Sequence, residues 1–228
     1  MKSYQFYLVS TPIGNLGDIS ERALEVLREV DEVLAEDKRK AGILLSHYGI
    51  ETRLGSYHDH NKEKVTPAII DKLREGKRIA LITDAGTPVI SDPGYYIVRE
   101  LIRNGIEFTG IPGATSIIHA LVLSGLPPDR FSFLGYIPRK KGKREKLFRE
   151  AGEREETVIF FESPYRLVKS LKSIREVLGE REVAVARELT KMHEEVRRGP
   201  VSEVIEIFEN RRVKGEITLL IRGAGRRK

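Results

Sequence analysis

One stretch decides the fold that this sequence predicts: Ile79-Ala80-Leu81-Ile82-Thr83-Asp84-Ala85-Gly86-Thr87-Pro88-Val89-Ile90-Ser91-Asp92-Pro93-Gly94-Tyr95. It opens as a continuous apolar run, the pattern of a strand that is buried on both faces. Turn-favouring residues follow, and a helical pattern resumes at Tyr95. Such an arrangement exposes backbone at the carboxyl end of a parallel strand, where open α/β sheets bind ligands. The alternative is an ordinary connection, but two successive proline turns, at Pro88 and Pro93, exceed what a short connection needs. We therefore predict a binding loop.

Strands and helices alternate on both sides of this stretch. Besides 79–82, strands are predicted at 5–10, 33–35, 54–57, 106–110, 131–134, 157–161, 183–186 and 217–221. Helices are predicted near 23–30, 43–49, 67–73, 95–102, 115–124, 145–150, 165–177 and 201–208. This alternation predicts two α/β domains, 1–111 and 112–228, with largely parallel sheets and a ligand cleft between them. Ile111-Pro112-Gly113 is the predicted hinge.

The composition of the 228 residues narrows the class of protein. Because the chain has no cysteine, disulfides, thiolate metal sites and cysteine nucleophiles are excluded. Lys and Arg total 40 against 34 Asp and Glu, a mild positive excess that suits a polyanionic partner. No signal-peptide pattern opens the sequence and no apolar run approaches the length of a membrane span. We expect a cytoplasmic protein without membrane contact.

The sequence lacks the motifs of several common kinds of functional site. The phosphate-binding P-loop pattern is missing, and Gly14 with Gly17 forms only a short G-x-x-G that follows a strand. His58-Asp59-His60 could be half of a metal site, since alternate residues of an extended segment share a face. No third ligand is visible, so a hydrogen-bonded pair lining a cleft is the other interpretation. We expect no metal.

Polar residues gather where the predicted strands end. Glu36-Asp37, Asp84, Glu162-Ser163-Pro164 and the segment 187–191 each follow a strand directly. Any one of them could be a helix cap or a surface turn. If the strands are parallel, however, all of them lie at the same edge of their sheets. The pattern therefore predicts a polar site at the strand ends.

A family resemblance rests on ordered motifs that run from about Tyr4 to Gly223. The matching stretches are 7–19, Ala35-Glu36-Asp37, 45–49, 84–95, Ile111-Pro112-Gly113, 161–164 and 186–191. Together they resemble the small-subunit ribosomal RNA (cytidine-2′-O)-methyltransferases of the tetrapyrrole methylase superfamily. The resemblance implies two α/β domains with S-adenosylmethionine bound between them, and usually a homodimer. It also implies methylation of a cytidine ribose in the decoding region of small-subunit (16S) ribosomal RNA, free or in the assembled 30S subunit.

By position, the resemblance also implies a set of donor-binding residues. They are Pro12, Ala85, Gly86, Thr87, Ile90, Thr115, Ser116, Phe160, Phe161, Ala186 and Ile217. Two departures concern Lys38, where the family often has Thr, and Ala114-Thr115, where other small residues are common. Many relatives continue past the last strand into a helical extension, whereas this sequence ends at Lys228. We expect RNA contacts made by such an extension to be absent or replaced.

Methyl transfer to a ribose hydroxyl requires a group that accepts the hydroxyl proton and a cation that stabilises the developing alkoxide. The candidate bases are Glu36, Asp84 and Glu188, and the candidate cations are Arg39 and Lys191. Salt bridges that only fix loops are the alternative for each of them. Phosphate contacts are predicted for Arg39 and for the densest basic run, against the alternative of a solvated face. That run contributes Arg139, Lys140, Lys141, Lys143 and Arg144.

Two other functions remain open from the sequence. One is a methyltransferase that acts on carbon atoms of a tetrapyrrole or cobalamin precursor and shares the same donor site. The other is a non-catalytic RNA-binding assembly protein that has kept the fold. Stretches 11–14 and 186–191 fit the ribosomal RNA branch better than the first alternative.

Overall fold

The computed structural model describes residues 4–225 and divides into two compact units. The first unit ends at Thr115 and the second begins at Ser116. The strands of the first unit are β1 Phe6–Val9, β2 Glu32–Ala35, β3 Leu54–Ser56, β4 Ile79–Ile82 and β5 Phe108–Ile111. Its helices are α1 Glu21–Glu29, α2 Lys38–His47, α3 Lys62–Arg74 and α4 Tyr95–Arg103. Among the described residues, no helix is long and apolar enough to cross a membrane.

The sheet of the first unit is parallel throughout, in the order β3-β2-β4-β1-β5. Strand β4 lies at its centre, and all four of its residues are buried. Ala80 and Ile82 join the core that contains residues of α1 and α2, whereas Ile79 and Leu81 join the core that contains residues of α3 and α4. Both faces of β4 are therefore covered, which explains its unbroken apolar run.

The second unit contains a five-stranded sheet in the order β6-β7-β10-β8-β9. Its strands are β6 Phe131–Tyr136, β7 Thr157–Glu162, β8 Glu182–Arg187, β9 Glu195–Pro200 and β10 Ile217–Ile221. Its helices are α5 Ser116–Ser124, α6 Lys141–Gly152, α7 Leu167–Leu178 and α8 Val201–Glu209. Residues of α6, α7 and α8 share one core with β7, β8 and β10, and α5 packs against β8, β9 and β10.

The two-unit α/β fold is as predicted, but the prediction of a largely parallel sheet is wrong for the second unit. Only β6 and β7 pair in parallel there, and β10 runs antiparallel to both of its neighbours. The reason is β9, which the sequence analysis did not predict and which pairs antiparallel with β8. This reversal turns the chain around, so α8 delivers β10 into the sheet in the opposite direction to β7 and β8.

Candidate functional site

The loop between β4 and α4 (83–94) contains an unusual concentration of left-handed backbone. Gly86 and Gly94 have φ of +84° and +140°, and Val89 and Ser91 have φ of +80° and +63°. For a β-branched residue such as Val89, a positive φ is a genuine outlier that costs of order 1–3 kcal/mol. Strain of this kind persists only where surrounding contacts hold it, and it is most common at functional sites.

Contacts from two neighbouring strand ends hold this loop. Thr11, just after β1, exchanges two backbone hydrogen bonds with Gly86, at 2.9 and 3.1 Å. The hydroxyls of Ser10 and Thr87 lie 3.0 Å apart, and Thr87 also donates to the carbonyl of Ala114, at 3.3 Å. The carboxyl ends of β1, β4 and β5 therefore meet in one network, because parallel strands end at the same edge.

Gly86 and Gly113 allow this close approach. A Cβ built at Gly113 would lie 2.8 Å from the Cβ of Ser10, a distance that real Cβ atoms do not show. At Gly86 a Cβ would lie 3.3 Å from Cγ2 of Ile13, on backbone that disfavours any other residue. Both positions therefore need glycine for the loops to fit together.

Three carboxylates lie beside this network. Glu36 follows β2, and partial burial raises its pKa, with Asp84 and Asp59 adding negative charge. Asp84 follows β4 and accepts hydrogen bonds from Lys40 Nζ at 2.6 Å and from the Asp37 amide at 3.3 Å. This edge of the first sheet therefore carries negative charge that one lysine neutralises only in part.

Asp92 completes the acidic edge, and no sequence motif indicated a role for it. Burial raises its pKa, the Thr83 hydroxyl opposes this effect, and the charges of Glu36 and Asp84 add to it, so the net pKa is about 6. The feature of the sequence that could have indicated Asp92 is its position in the predicted binding loop, directly before Pro93-Gly94. The structure thus adds a third, partly buried carboxyl to the two predicted ones.

In the second unit, Glu188 and Lys191 are close together, as their spacing after β8 allows. Lys191 Nζ lies 3.0 Å from Glu188 Oε1 and 2.9 Å from Glu216 Oε2. Glu188 also accepts from the Glu216 amide, at 2.9 Å, and its backbone is left-handed, with φ of +49°. Burial raises the pKa of Glu188, but hydrogen bonds from Glu216 and Lys191 outweigh it, so the net pKa is lowered.

The same contacts keep Lys191 charged. Burial lowers its pKa, but the carboxylates of Glu216 and Glu188 outweigh this effect and leave the pKa raised. The three side chains form a closed ion-pair network.

Comparison with known proteins agrees with this architecture. The model of the family described as tetrapyrrole (corrin/porphyrin) methylases matches residues 5–205. The chain belongs to the tetrapyrrole methylase family. Two solved structures share the fold at low identity: uroporphyrin-III-C-methyltransferase from Thermus thermophilus (22% identity, TM-score 0.65) and a diphthine synthase (18%, TM-score 0.74). They cover 95% and 96% of this chain, and the alignments span 93% and 89% of theirs.

Three relatives are much more similar in sequence to this tetrapyrrole methylase. Each is named ribosomal RNA small subunit methyltransferase I. The Thermotoga maritima protein is 47% identical over 95% of this chain and 97% of its own. The proteins from Escherichia coli O157:H7 and Halalkalibacterium halodurans are 50% and 46% identical, over 96% of this chain and 78% and 76% of theirs. These matches confirm the resemblance that the motifs indicated.

The predicted donor-binding residues of this tetrapyrrole methylase fall into distinct environments. In the first unit, Gly86 and Thr87 belong to the loop network, and Pro12 and Ala85 adjoin its paired residues. Ile90 is exposed on the same loop, Thr115 is half-buried just after Ala114, and half-buried Ser116 begins α5. These positions stay predicted donor contacts.

In the second unit, three of the predicted donor contacts have buried side chains. Phe160 and Ile217 point into the core shared with the helices, where Phe160 packs edge-on against Phe148. Ala186 is 1% exposed. Phe161 faces the side of the sheet opposite to Phe160 and is half-buried, with its ring against Phe133 and Tyr136.

The predicted RNA-binding residues are not equivalent either. Arg139, Lys140, Lys141 and Lys143 are exposed, but Arg144 is only 4% exposed. The Arg39 side chain is 90% exposed and pairs with Asp37, which caps α2 through the Arg39 amide. Arg39 is thus exposed to solvent, whereas the side chain of Arg144 is almost entirely buried.

His58 and His60 are neighbours, with ring centroids 6.0 Å apart. Within residues 4–225, no group of three or more His, Cys, Asp or Glu residues is arranged to hold a metal ion.

Proposed function

We propose that this protein transfers a methyl group from S-adenosylmethionine to the ribose 2′-hydroxyl of a cytidine in the decoding region of small-subunit ribosomal RNA. The observation that carries the proposal is the strained loop 83–94, fixed by Thr11 and Ala114 beside an acidic edge. Relatives at 46–50% identity that are named as small-subunit ribosomal RNA methyltransferases support the choice of substrate.

The residues of this edge fit the proposed donor. When bound, S-adenosylmethionine supplies an electrophilic methyl group on a positively charged sulfur. Glu36, Asp84 and Asp92 place negative charge where such a cation would be stabilised. Gly86 presents backbone without a side chain, which lets a ligand approach the main chain closely.

Glu36 is the general base that we favour among the predicted candidates. Its pKa is raised by partial burial and by the charges of Asp84 and Asp59, which makes the carboxylate a stronger proton acceptor than an ordinary glutamate. Asp84 is already bound to Lys40 and to the Asp37 amide, and it raises the pKa of Glu36 by its charge. In the proposed step, Glu36 would take the hydroxyl proton as the ribose oxygen bonds to the methyl carbon, and the bond from that carbon to sulfur would break to leave a neutral thioether.

Glu188 suits the role of base less well. Its pKa is lowered and its carboxylate already accepts from Lys191 and the Glu216 amide. We infer that Glu188 and Lys191 act by holding the loop after β8 in its left-handed conformation. Of the two predicted cations, Arg39 is the exposed one, and we assign it to a phosphate contact.

Donor binding is tested by one pair of glycine variants. Gly86→Ala and Gly76→Ala both place alanine on left-handed backbone, with φ of +84° and +88°, at a cost of about 1–2 kcal/mol each. At Gly76 a Cβ would meet nothing within 4 Å, whereas Gly86 lies in the loop network. Calorimetric titration with S-adenosylmethionine should show weaker binding only in Gly86→Ala. Equal affinities in the two variants, or no binding by the wild type, would contradict the proposal.

A tetrapyrrole carbon is the second candidate acceptor, and the fold shared with uroporphyrin-III-C-methyltransferase favours it. At 22% identity this likeness extends to the fold alone, whereas the ribosomal RNA relatives share about half of the residues. An assay of methyl transfer to small ribosomal subunits and to a porphyrinoid distinguishes the two candidate acceptors.

We also propose a homodimer located in the cytoplasm, where assembling ribosomal subunits are found. Support comes from the family resemblance alone. Light scattering on the eluted protein measures the mass directly, and a monomer at micromolar concentration would contradict the dimer.

A further inference from the structure

The loop that precedes α6 (137–140) is held in place by three hydrogen bonds within the second unit. The Ile137 amide donates to the Phe161 carbonyl at 3.1 Å, and the Ile137 carbonyl accepts from Arg166 at 3.3 Å. The carbonyl of Arg139 accepts from Arg144 Nη1, also at 3.3 Å. Two arginines therefore flank one short, well-anchored loop.

These two arginines differ in how their charge is balanced. Arg166 pairs with the fully buried carboxylate of Glu162, at 2.6 Å. Arg144 is 4% exposed, and no carboxylate among residues 4–225 lies within ion-pair distance of it. Its Nε is buried and has no hydrogen-bond acceptor. A buried cation with an unused donor is costly, so its presence calls for an anion that the chain does not supply.

The amino end of α6 lies beside this guanidinium. Arg144 N bonds to the Lys140 carbonyl and so closes the first turn, while Arg144 Nη1 reaches back to Arg139. Lys140 caps the helix without a side-chain hydrogen bond, and the first turn contains no acidic residue. The amides that precede Arg144 thus present the positive end of the helix dipole.

This end of the helix is also open to a ligand. A Cβ built on Gly142 would meet nothing within 4 Å, so the helix surface at this residue of the first turn is clear. Exposed Lys140, Lys141 and Lys143 surround it. Uncapped amides, an unpaired guanidinium and open space form the usual arrangement for binding a phosphate group.

We propose that Arg144 and the amino end of α6 form a binding site for one backbone phosphate of RNA. The site deepens the proposed function and rests on it for the choice of RNA. The exposed basic residues around the site favour a polyanion over a single phosphate ion, because they continue the positive charge beyond the first turn. Arg144 thereby differs from its neighbours: it fixes one phosphate at short range, whereas the lysines attract the strand at long range.

The test compares Arg144→Met with Arg149→Met in the full chain. Both variants remove one arginine charge from α6, but Arg149 is exposed and lies in the last turn. Binding of a short single-stranded oligoribonucleotide should weaken about tenfold or more in Arg144→Met and little in Arg149→Met. The salt dependence of log K should flatten by about 0.7, because one phosphate is no longer neutralised.

Stability without RNA separates a binding role from a structural one. If Arg144 is kept for a phosphate, Arg144→Met should leave the urea midpoint of the RNA-free protein unchanged or higher, because it removes an unpaired buried charge. A lower midpoint would assign Arg144 to the fold and overturn the proposal. If Arg144→Met does not fold, Arg144→Lys takes its place. Lysine keeps the charge but lacks the guanidinium fork, so unchanged RNA affinity in that variant overturns the site.

Two further results decide the ligand and the link to function. If inorganic phosphate competes with RNA for binding to the wild type but not to Arg144→Met, the result supports the site. RNA affinity that is the same in Arg144→Met overturns it, even if the wild type methylates small subunits. Conversely, Arg144-dependent RNA binding without any methylation leaves this site standing and removes only the proposed function.

Discussion

Glu36 is the residue on which the proposed chemistry depends most. Replacing Glu36 by Gln removes the proton acceptor while keeping its size, so we expect methyl transfer to slow by about 10²–10⁴-fold. Affinity for S-adenosylmethionine should fall by a much smaller factor than the rate, since Asp84, Asp92 and the backbone of the loop 83–94 are untouched. The measurement is single-turnover transfer to small ribosomal subunits together with donor titration.

Glu188→Gln serves as the comparison for this variant. It removes a carboxylate whose pKa is lowered by the Glu216 amide and Lys191, so a smaller rate effect is expected. If Glu188→Gln slows methyl transfer more than Glu36→Gln does, Glu188 is the general base instead. In the wild type, kcat/KM should rise with pH through the raised pKa of Glu36, above the usual value of 4.5.

Asp92 gives a prediction about stability and pH. Its pKa is about 6 in the folded chain against a usual 3.8, so the folded state binds the proton more tightly than the unfolded state. The stability contributed by the protonated carboxyl is complete below about pH 3.8 and is lost as the pH rises through about 6. Asp92→Asn cannot ionise. It should therefore be more stable than the wild type above about pH 6, by on the order of 1 kcal/mol after allowance for screening.

Urea unfolding across this pH range measures whether Asp92→Asn raises or lowers the stability of the protein. Asp31→Asn is the matched control, because hydrogen bonds from the Arg78 amide and Lys77 lower the pKa of Asp31. Its effect should have the opposite direction, with lower stability at neutral pH. A gain from Asp92→Asn that persists below about pH 4 would contradict the account.

The sequence predicts which residue types surround the site better than it predicts their environment. Glu36 and Asp84 could be located because each lies within two residues of the end of an apolar strand. Asp92 and the burial of Arg144 could not, since both depend on how a loop or helix packs. Likewise, the sequence places Asp18 three residues before Glu21, the spacing of a capping box, but Ser20 caps α1 through the Ala23 amide, at 3.2 Å. A one-dimensional pattern does not distinguish such neighbours.

At the scale of whole elements, the basic segment before and within α6 makes a separate prediction. Replacing Lys140, Lys141 and Lys143 by Gln should weaken RNA binding and flatten its salt dependence by up to about 2, at about 0.7 for each phosphate that is no longer neutralised. Filter binding across a range of salt concentrations measures the slope. Arg22→Gln with Lys64→Gln, two exposed residues of the first unit, is the control. An unchanged slope in the triple variant would show that the lysines serve solubility only.

The elements differ in how clearly the sequence indicates them. In the first unit, every strand buried on both faces has an apolar run, and the parallel order follows from the alternation with helices. Strand β9 has the sequence Glu195-Val196-Arg197-Arg198-Gly199-Pro200, which is largely polar and lies at the edge of its sheet. Edge strands of this kind carry charges that discourage pairing with other chains, and this hides them from apolar-pattern analysis.

At the scale of the whole molecule, the fold and the function are indicated by different observations. Structures at 18% and 22% identity share the architecture, although their names describe different activities. A shared fold therefore identifies the family but not the acceptor. The proposed acceptor rests on the relatives at 46–50% identity and on an acidic, glycine-lined strand edge.

The position of the transferred methyl group tests this account most directly. Small ribosomal subunits that lack the modification, or a porphyrinoid, are incubated with the protein and S-adenosylmethionine labelled in its methyl group. The RNA is then digested to nucleosides. We predict that the label appears in 2′-O-methylcytidine from small-subunit RNA and not in the porphyrinoid. Label on a cytosine base or on the porphyrinoid, or no transfer to either acceptor, would contradict the account.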